Sequence, residues 1–249
     1  MSNAYRLDQI YNILLKKKSA TVEDLANSFH VTPTTIRRDL LELEERKLIY
    51  RTRGSAFLLE SRIADANIFM EEKRRIAAAA ANYVANGMTI ILDSGTSTMA
   101  LAQEIVENPD LTYVNFISHS VKIAMDVAQR FHVSVPGGVL TPHTEFLVGV
   151  ETEEFYKNIS VDVAFLGSLG VCNCNGLTVS NPLHLPVKQH SARCAARRIA
   201  LLDSGKFSNR GIYTFCEFKD IDTLITVKTK DNEAQLQQIA DLGVDIVLV

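Results

Sequence analysis

Seven short apolar runs dominate the chain from residue 88 onward: Met88–Asp93, Thr112–Ile117, His132–Val135, Val161–Gly167, Ile199–Leu202, Thr223–Val227 and Val244–Val249. Helical patterns lie between several of them, at Met99–Val106, Val121–Arg130 and Asn232–Leu242. Strand-like runs alternating with helical segments require a mostly parallel sheet with helices on its faces. The runs are continuously apolar rather than alternating, as strands covered on both faces should be. A polar junction, with Glu71, Glu72, Lys73, Arg74 and Arg75 clustered, precedes them. It reads as a linker entering a helix over Arg74–Asn86, stopped by Asn86-Gly87.

The first sixty residues have a different grammar. Leu7, Ile10, Ile13 and Leu14 recur at helical spacing. Thr21 is a good cap for a second helix with Asp24 at its third position, and Val22, Leu25, Ala26 and Phe29 form its apolar stripe. After His30-Val31, Thr32 can cap a third helix, and Pro33 occupies its first position, where a missing N–H costs nothing. Along Pro33–Arg46, Ile36, Leu40 and Leu43 share one face. Thr34 and Arg38 lie almost opposite, with Thr35 and Arg37 on the flanks. A recognition helix presents this kind of face, because arginine pairs bidentately with guanine and threonine meets a phosphate or a thymine methyl. Residues 48–59 then read as two short strands around Gly54, with Arg51 and Arg53 on one side of the ribbon. Thr32, Thr34, Thr35, Arg37, Arg38, Arg51 and Arg53 are therefore the candidate DNA contacts. A plain three-helix interaction module, its arginines paired with Asp39, Glu42, Glu44 or Glu45, is the competing reading.

Charge supports the division. Residues 1–60 hold ten Lys/Arg and eight Asp/Glu, and the remainder sixteen and twenty-one, so a mildly basic head precedes an acidic body. The expected domains are 1–58, a linker at 59–73, and 74–249. The four cysteines, Cys172, Cys174, Cys194 and Cys216, form no CxxC pair, so free thiols and no metal are expected. No apolar stretch of about 18 residues occurs, so no membrane association is expected. The N-terminus has no apolar core of a signal peptide. These readings together imply a cytoplasmic location.

In the body, Asp93-Ser94-Gly95-Thr96-Ser97-Thr98 follows a strand and opens a helix. Its backbone N–H groups and hydroxyls form an anion cradle or an ordinary strand-to-helix turn. It lacks the lysine and spacing of a P-loop, so neither nucleotide hydrolysis nor any cofactor is expected. Other loops of small residues end neighbouring strands, at Ser118, Gly137-Gly138, Ser168 to Gly170, and Asp203 to Lys206. Ligands of open α/β sheets bind outside such strand ends, and Lys188 and Lys206 can supply positive charge there. The candidate ligand residues are Asp93, Ser94, Gly95, Thr96, Ser97, Thr98, Ser118, Gly137, Gly138, Ser168, Gly170, Lys188 and Lys206. His184 is a lone histidine, either structural or ligand-facing.

The stretch TVEDLANSFHVTPTTIRRDLLELEERKLIYRTRGSA, above all its VTPTTIRRDL core, resembles the N-terminal signature of the DeoR family of bacterial regulators. ILDSGTST, FLGSLG followed by GLT, Lys188 and LLDSGKF resemble that family's effector domain. The resemblance implies a winged helix-turn-helix followed by a mostly parallel α/β sugar-phosphate-binding domain related to ribose-5-phosphate isomerase. It implies a phosphorylated sugar with its phosphate at Gly95–Thr98. The function implied is a repressor of a carbohydrate-utilisation operon that binds double-stranded operator DNA as a homo-oligomer. The alternative is a sugar-phosphate isomerase with an accessory head. Isomerisation needs a positioned carboxylate base; Gly167-Ser168-Leu169-Gly170 stands where acids would be needed, which leaves Asp93 and Asp203 as that alternative's bases, and on the regulator reading no catalytic residues are expected.

Overall fold

The computed structural model describes residues 3–17, 19–45, 49–52, 54–58, 69–141 and 144–249. The chain divides into two compact units, Met1–Ile68 and Phe69–Val249.

In the first unit, α1 (Asn3–Lys17), α2 (Val22–Phe29) and α3 (Pro33–Glu45) enclose one apolar cluster. Its members Leu7, Ile10, Leu14, Leu25, Ile36, Leu40, Leu43 and Ile49 are all at most 2% exposed. Burial of each such side chain contributes about 1.5–3 kcal/mol. The Thr21 hydroxyl accepts from the Asp24 N–H at 3.0 Å, which satisfies one orphan donor at the start of α2. His30 ends that helix in the left-handed conformation, φ 53°. Only His30–Thr32 separates α2 from α3.

The expected ribbon is present as β2 (Ile49–Thr52) and β3 (Ser55–Leu58), turning at Gly54 with φ +95°. A third strand, β1 (Ser19–Thr21), pairs antiparallel with β3 and was not anticipated. Three residues are too few to carry a period-two pattern. Arg46 and Arg53 lie outside the described residues, as do residues 59–68 of the expected linker.

The second unit opens with α4 (Met70–Ala81). This helix begins four residues before the expected Arg74, so part of the expected linker is helical. It also ends before Asn86, because that side chain serves another purpose. Asn86 Oδ1 accepts from the Thr112 and Tyr113 N–H groups at 2.8 and 2.9 Å, and Nδ2 donates to the Asp110 carbonyl.

The seven apolar runs are the seven strands of one parallel sheet. They are β4 (Thr89–Leu92), β5 (Asn115–Ile117), β6 (Val133–Ser134), β9 (Val161–Leu166), β11 (Ala195–Leu202), β13 (Thr223–Thr226) and β14 (Asp245–Leu248). Their order is β14-β13-β11-β9-β4-β5-β6. Alternate residues feed two cores. Ile90, Leu92, Val163, Phe165, Ile199 and Leu201 meet α4, α5 (Thr96–Glu107) and α6 (Val121–Val127). Ile91, Ala164, Leu166, Ala200 and Leu202 meet α7 (Val150–Lys157), α8 (Leu185–Arg193) and α9 (Glu233–Asp241). Coverage of both faces explains the unbroken hydrophobicity of these strands.

The chain runs outward from β4 to β5 and β6, then returns to the other side of β4 as β9 and continues to β14. The β4–β9 seam is therefore the topological switch point, where the carboxyl ends of the strands leave a crevice for ligands. Two small antiparallel pairs flank the sheet: β7 (Val139–Leu140) with β8 (Leu147–Val148), and β10 (Gly176–Val179) with β12 (Tyr213–Glu217).

Candidate functional site

On the head, α3 buries Ile36, Leu40 and Leu43 and leaves Thr34, Arg37 and Arg38 exposed. Thr35 is half-buried. Thr32 caps the helix, since its hydroxyl accepts from the Thr35 N–H at 3.2 Å and lies 2.9 Å from the Thr35 hydroxyl. Two acidic residues of α3, Asp39 and Glu44, are engaged by arginines of other elements. Asp39 is buried and pairs in two-pronged fashion with Arg6 of α1, with Nη2 2.9 Å from Oδ1. Glu44 pairs with Arg51 of the ribbon.

That last pair alters the expected role of Arg51. Its Nε and Nη2 both lie 2.7 Å from Glu44 Oε2, and its own N–H donates to Oε1 at 2.9 Å. Arg51 thus fastens the ribbon to α3 instead of offering a free charge. Arg53, the other ribbon candidate, lies outside the described residues.

In the body, Asp93 stands at the end of β4 on the switch-point seam and is 0% exposed. Its Oδ2 accepts from the Gly167 N–H at 2.9 Å, so the carboxylate joins the ends of β4 and β9. The same oxygen receives the Lys188 ammonium. Lys188 also donates to the Gly167 carbonyl at 3.3 Å and lies 4.8 Å from the centre of the Phe215 ring. Oδ1 accepts from Ser94 Oγ at 3.3 Å and lies 3.2 Å from His119 Nε2, without hydrogen-bond alignment. His119 Nδ1 is 3.0 Å from the Tyr156 hydroxyl.

These contacts set the local electrostatics. Burial alone would raise the Asp93 carboxyl. The Lys188 ammonium and His119 outweigh it and hold the group well below the usual carboxylate range. Burial, followed by the Asp93 charge, pushes the Tyr156 phenol well above its ordinary value. Lys188 was expected as a free cation for a ligand, yet it is 6% exposed and its charge is answered by Asp93.

Next to this pair, Gly95 adopts φ +138° and no side chain caps α5. The backbone N–H groups of its first turn therefore remain available to an anion. Ser94, Ser97 and Thr98 are buried around them, and Thr96 is half-buried. Thr98 Oγ1 turns back onto the Gly95 carbonyl at 3.0 Å, so the backbone offers more to a ligand there than this hydroxyl does.

Several other candidates have structural partners. Ser118 Oγ donates to the Leu92 carbonyl at 2.8 Å and accepts from the Ser120 N–H, tying β5 to β4. Ser168 Oγ binds the backbone of Gly170 and Thr178. Gly170 packs against the Asn209 carbonyl so closely that any Cβ would collide with it. Gly137 and Gly138 lie against Thr152 of α7. Lys206 is half-buried in the 3-10 turn Ser204–Ser208 after β11.

His119 and Tyr156 join the site without having been candidates from the sequence, although His119 directly follows Ser118 in its strand-end loop. His184 is buried and stacks at a tilt on Phe146, ring centres 4.7 Å apart. Among the described residues no group of His, Cys, Asp and Glu could hold a metal ion, and no helix is long and apolar enough to cross a membrane.

Residues 6–62 match the family model described as the DeoR-like helix-turn-helix domain, and residues 68–228 match the DeoR C terminal sensor domain. The HTH-type transcriptional regulator GlpR of Haloferax volcanii is 30% identical over 254 aligned residues, covering 99% of this chain and 98% of that protein. The lactose phosphotransferase system repressor of Staphylococcus epidermidis is 27% identical, covering 99% and 100%. Ribose 5-phosphate isomerase A from Methanocaldococcus jannaschii superposes on 55% of the chain and 54% of its own, with 19% identity and a TM-score of 0.39.

Proposed function

The chain belongs to the DeoR family of DNA-binding transcriptional regulators, and from that premise we propose that it represses a carbohydrate-utilisation operon under control of a phosphorylated sugar. The observation that carries this reading is the outward face of α3. A short helix starting at Pro33 buries its apolar stripe and leaves Thr34, Arg37 and Arg38 to solvent. Bases in a major groove are read by a face of this kind.

The effector enters at the β4–β9 crevice, with its phosphate on the N–H groups that open α5. The similarity to a lactose phosphotransferase system repressor of Staphylococcus epidermidis supports a carbohydrate signal. Ligand and DNA favour different arrangements of the protein, so each weakens the other's binding. One head reads only a short site, which favours a cytoplasmic homo-oligomer bound to repeated half-sites. Relatives named as regulators and repressors favour this reading over the isomerase alternative, and of that alternative's two possible bases Asp93 is already engaged by Lys188, Gly167 and Ser94.

The test is a fluorescence-anisotropy titration of the full chain with the DNA upstream of its own operon, repeated with sugar phosphates present. Salt-dependent binding released by one of these ligands is expected. Failure to bind that DNA at any salt concentration would remove the repressor reading.

A further inference from the structure

Two adjacent residues of the β7–β8 hairpin are both open to solvent. Successive residues of a strand point to opposite faces. Val139 and Leu140 are 66% and 52% exposed, so neither side of β7 is covered here. Among the described residues β7 pairs with β8 alone, and a two-stranded hairpin by itself is marginal in water.

The hairpin joins a wider surface. Phe146, beside Leu147 of β8, stacks on His184, and His184 follows the exposed Leu183. The Ile212 N–H donates to the Val179 carbonyl at 3.1 Å, and Tyr213 pairs with Val179 where β12 meets β10. Leu183, Ile212 and Tyr213 are 59%, 64% and 36% exposed. Three stretches of chain therefore adjoin: residues 131–144, 176–187 and 211–216. None contains an Asp, Glu, Lys or Arg, although these make up 22% of the chain. Exposed apolar side chains on a surface without charge have the composition of the centre of a protein–protein interface.

Charge decides the partner. Residues 61–249 hold sixteen Lys/Arg and twenty-one Asp/Glu, so two such bodies carry like net charge and repel. They approach with least repulsion where neither carries charge. An uncharged apolar face is also complementary to itself, which a two-fold contact requires. An ordinary interface takes roughly 20–30 residues a side, and the three stretches are of that order.

We propose that this face of the sensor domain, built on Val139, Leu140, Leu183, Ile212 and Tyr213, joins two copies of the chain. The inference rests on the reading of the protein as a homo-oligomer and gives that contact a place.

The test is sedimentation velocity of the full chain over a range of concentrations, for wild type, Leu140→Glu and Ile212→Glu. Met125→Glu is the control, because Met125 is as exposed as these residues but lies on α6. Wild type is expected to sediment as two or more chains. Both face variants should raise its dissociation constant at least tenfold, since each places a new carboxylate on an uncharged contact. Met125→Glu should associate as wild type does, and equal weakening by it would overturn the proposal. Far-UV circular dichroism checks the fold. If a Glu variant fails to fold, Leu140→Ala with Ile212→Ala, which adds no charge, decides instead: weaker association supports the face, and wild-type association overturns it. Wild-type association in both Glu variants overturns the proposal and leaves the homo-oligomer reading standing. A lower melting temperature at that unchanged mass assigns the face to a contact within the chain. If wild type sediments as a single chain at every concentration, the homo-oligomer reading itself falls, and the face belongs to a different partner.

Discussion

Lys188 and Asp93, 95 residues apart in sequence, form an ion pair sealed at the point where β4 and β9 diverge, with side-chain exposures of 7% and 0%. The pair closes the base of the crevice and joins α8 to the central strands. A buried pair of this kind adds little net stability over an apolar replacement, but it is intolerant of losing one member.

The first expectation follows directly. Asp93→Asn leaves an ammonium buried without its counter-charge and should cost about 3–5 kcal/mol. The double variant Asp93→Asn with Lys188→Met should recover much of that loss, because no charge then remains buried. Urea unfolding of the full chain, followed by circular dichroism, measures both. Additive losses in the double variant would mean that the two groups do not interact in solution.

The same pair sets a response to acid. The folded-state value of Asp93 is depressed, so its stabilisation is complete above the unfolded value of about 3.9. It is lost as pH falls through the folded value. Wild type should therefore lose stability more steeply than the double variant below about pH 4. Parallel stability curves for the two proteins at low pH would contradict this.

Much of this architecture was legible because its determinants are local. The strands of the main sheet announce themselves by unbroken apolar runs, since helices cover both faces. The head is readable because caps such as Thr21 and stripes such as Ile36, Leu40 and Leu43 repeat within one or two helical turns. β10 and β12 escaped notice because each is short and meets its partner about 40 residues away, as Gly176 does with Glu217. Partnership was also hidden in the site. Small-residue loops at strand ends marked the crevice, but no local pattern shows that Ser118 serves the Leu92 carbonyl or that Lys188 serves Asp93. Arg51 misled for the same reason, because its partner Glu44 sits on another element.

The Arg51–Glu44 contact predicts a separation between folding and DNA binding. Both side chains are partly exposed, 29% and 26%, so the ion pair contributes little to stability. Arg51→Met should change the melting temperature by only a degree or two, yet weaken DNA binding because the ribbon loses its tether to α3. Anisotropy titrations and thermal melts on the same preparation check this. A large drop in melting temperature with intact DNA affinity would reverse the assignment.

Arg37 and Arg38 call for the most direct experiment. Both are exposed on α3, so Arg37→Ala and Arg38→Ala should fold and melt like wild type. A residue that reads guanine should lose about 1–3 kcal/mol of binding, with relaxed preference at one base position. A residue that contacts only phosphate should weaken binding on all sequences alike and lower the salt slope by about one. Titration against the upstream DNA and a scrambled duplex, each at several salt concentrations, separates the two roles. If both variants bind as tightly as wild type at every salt concentration, α3 is not the reading helix and its exposed basic face has another use.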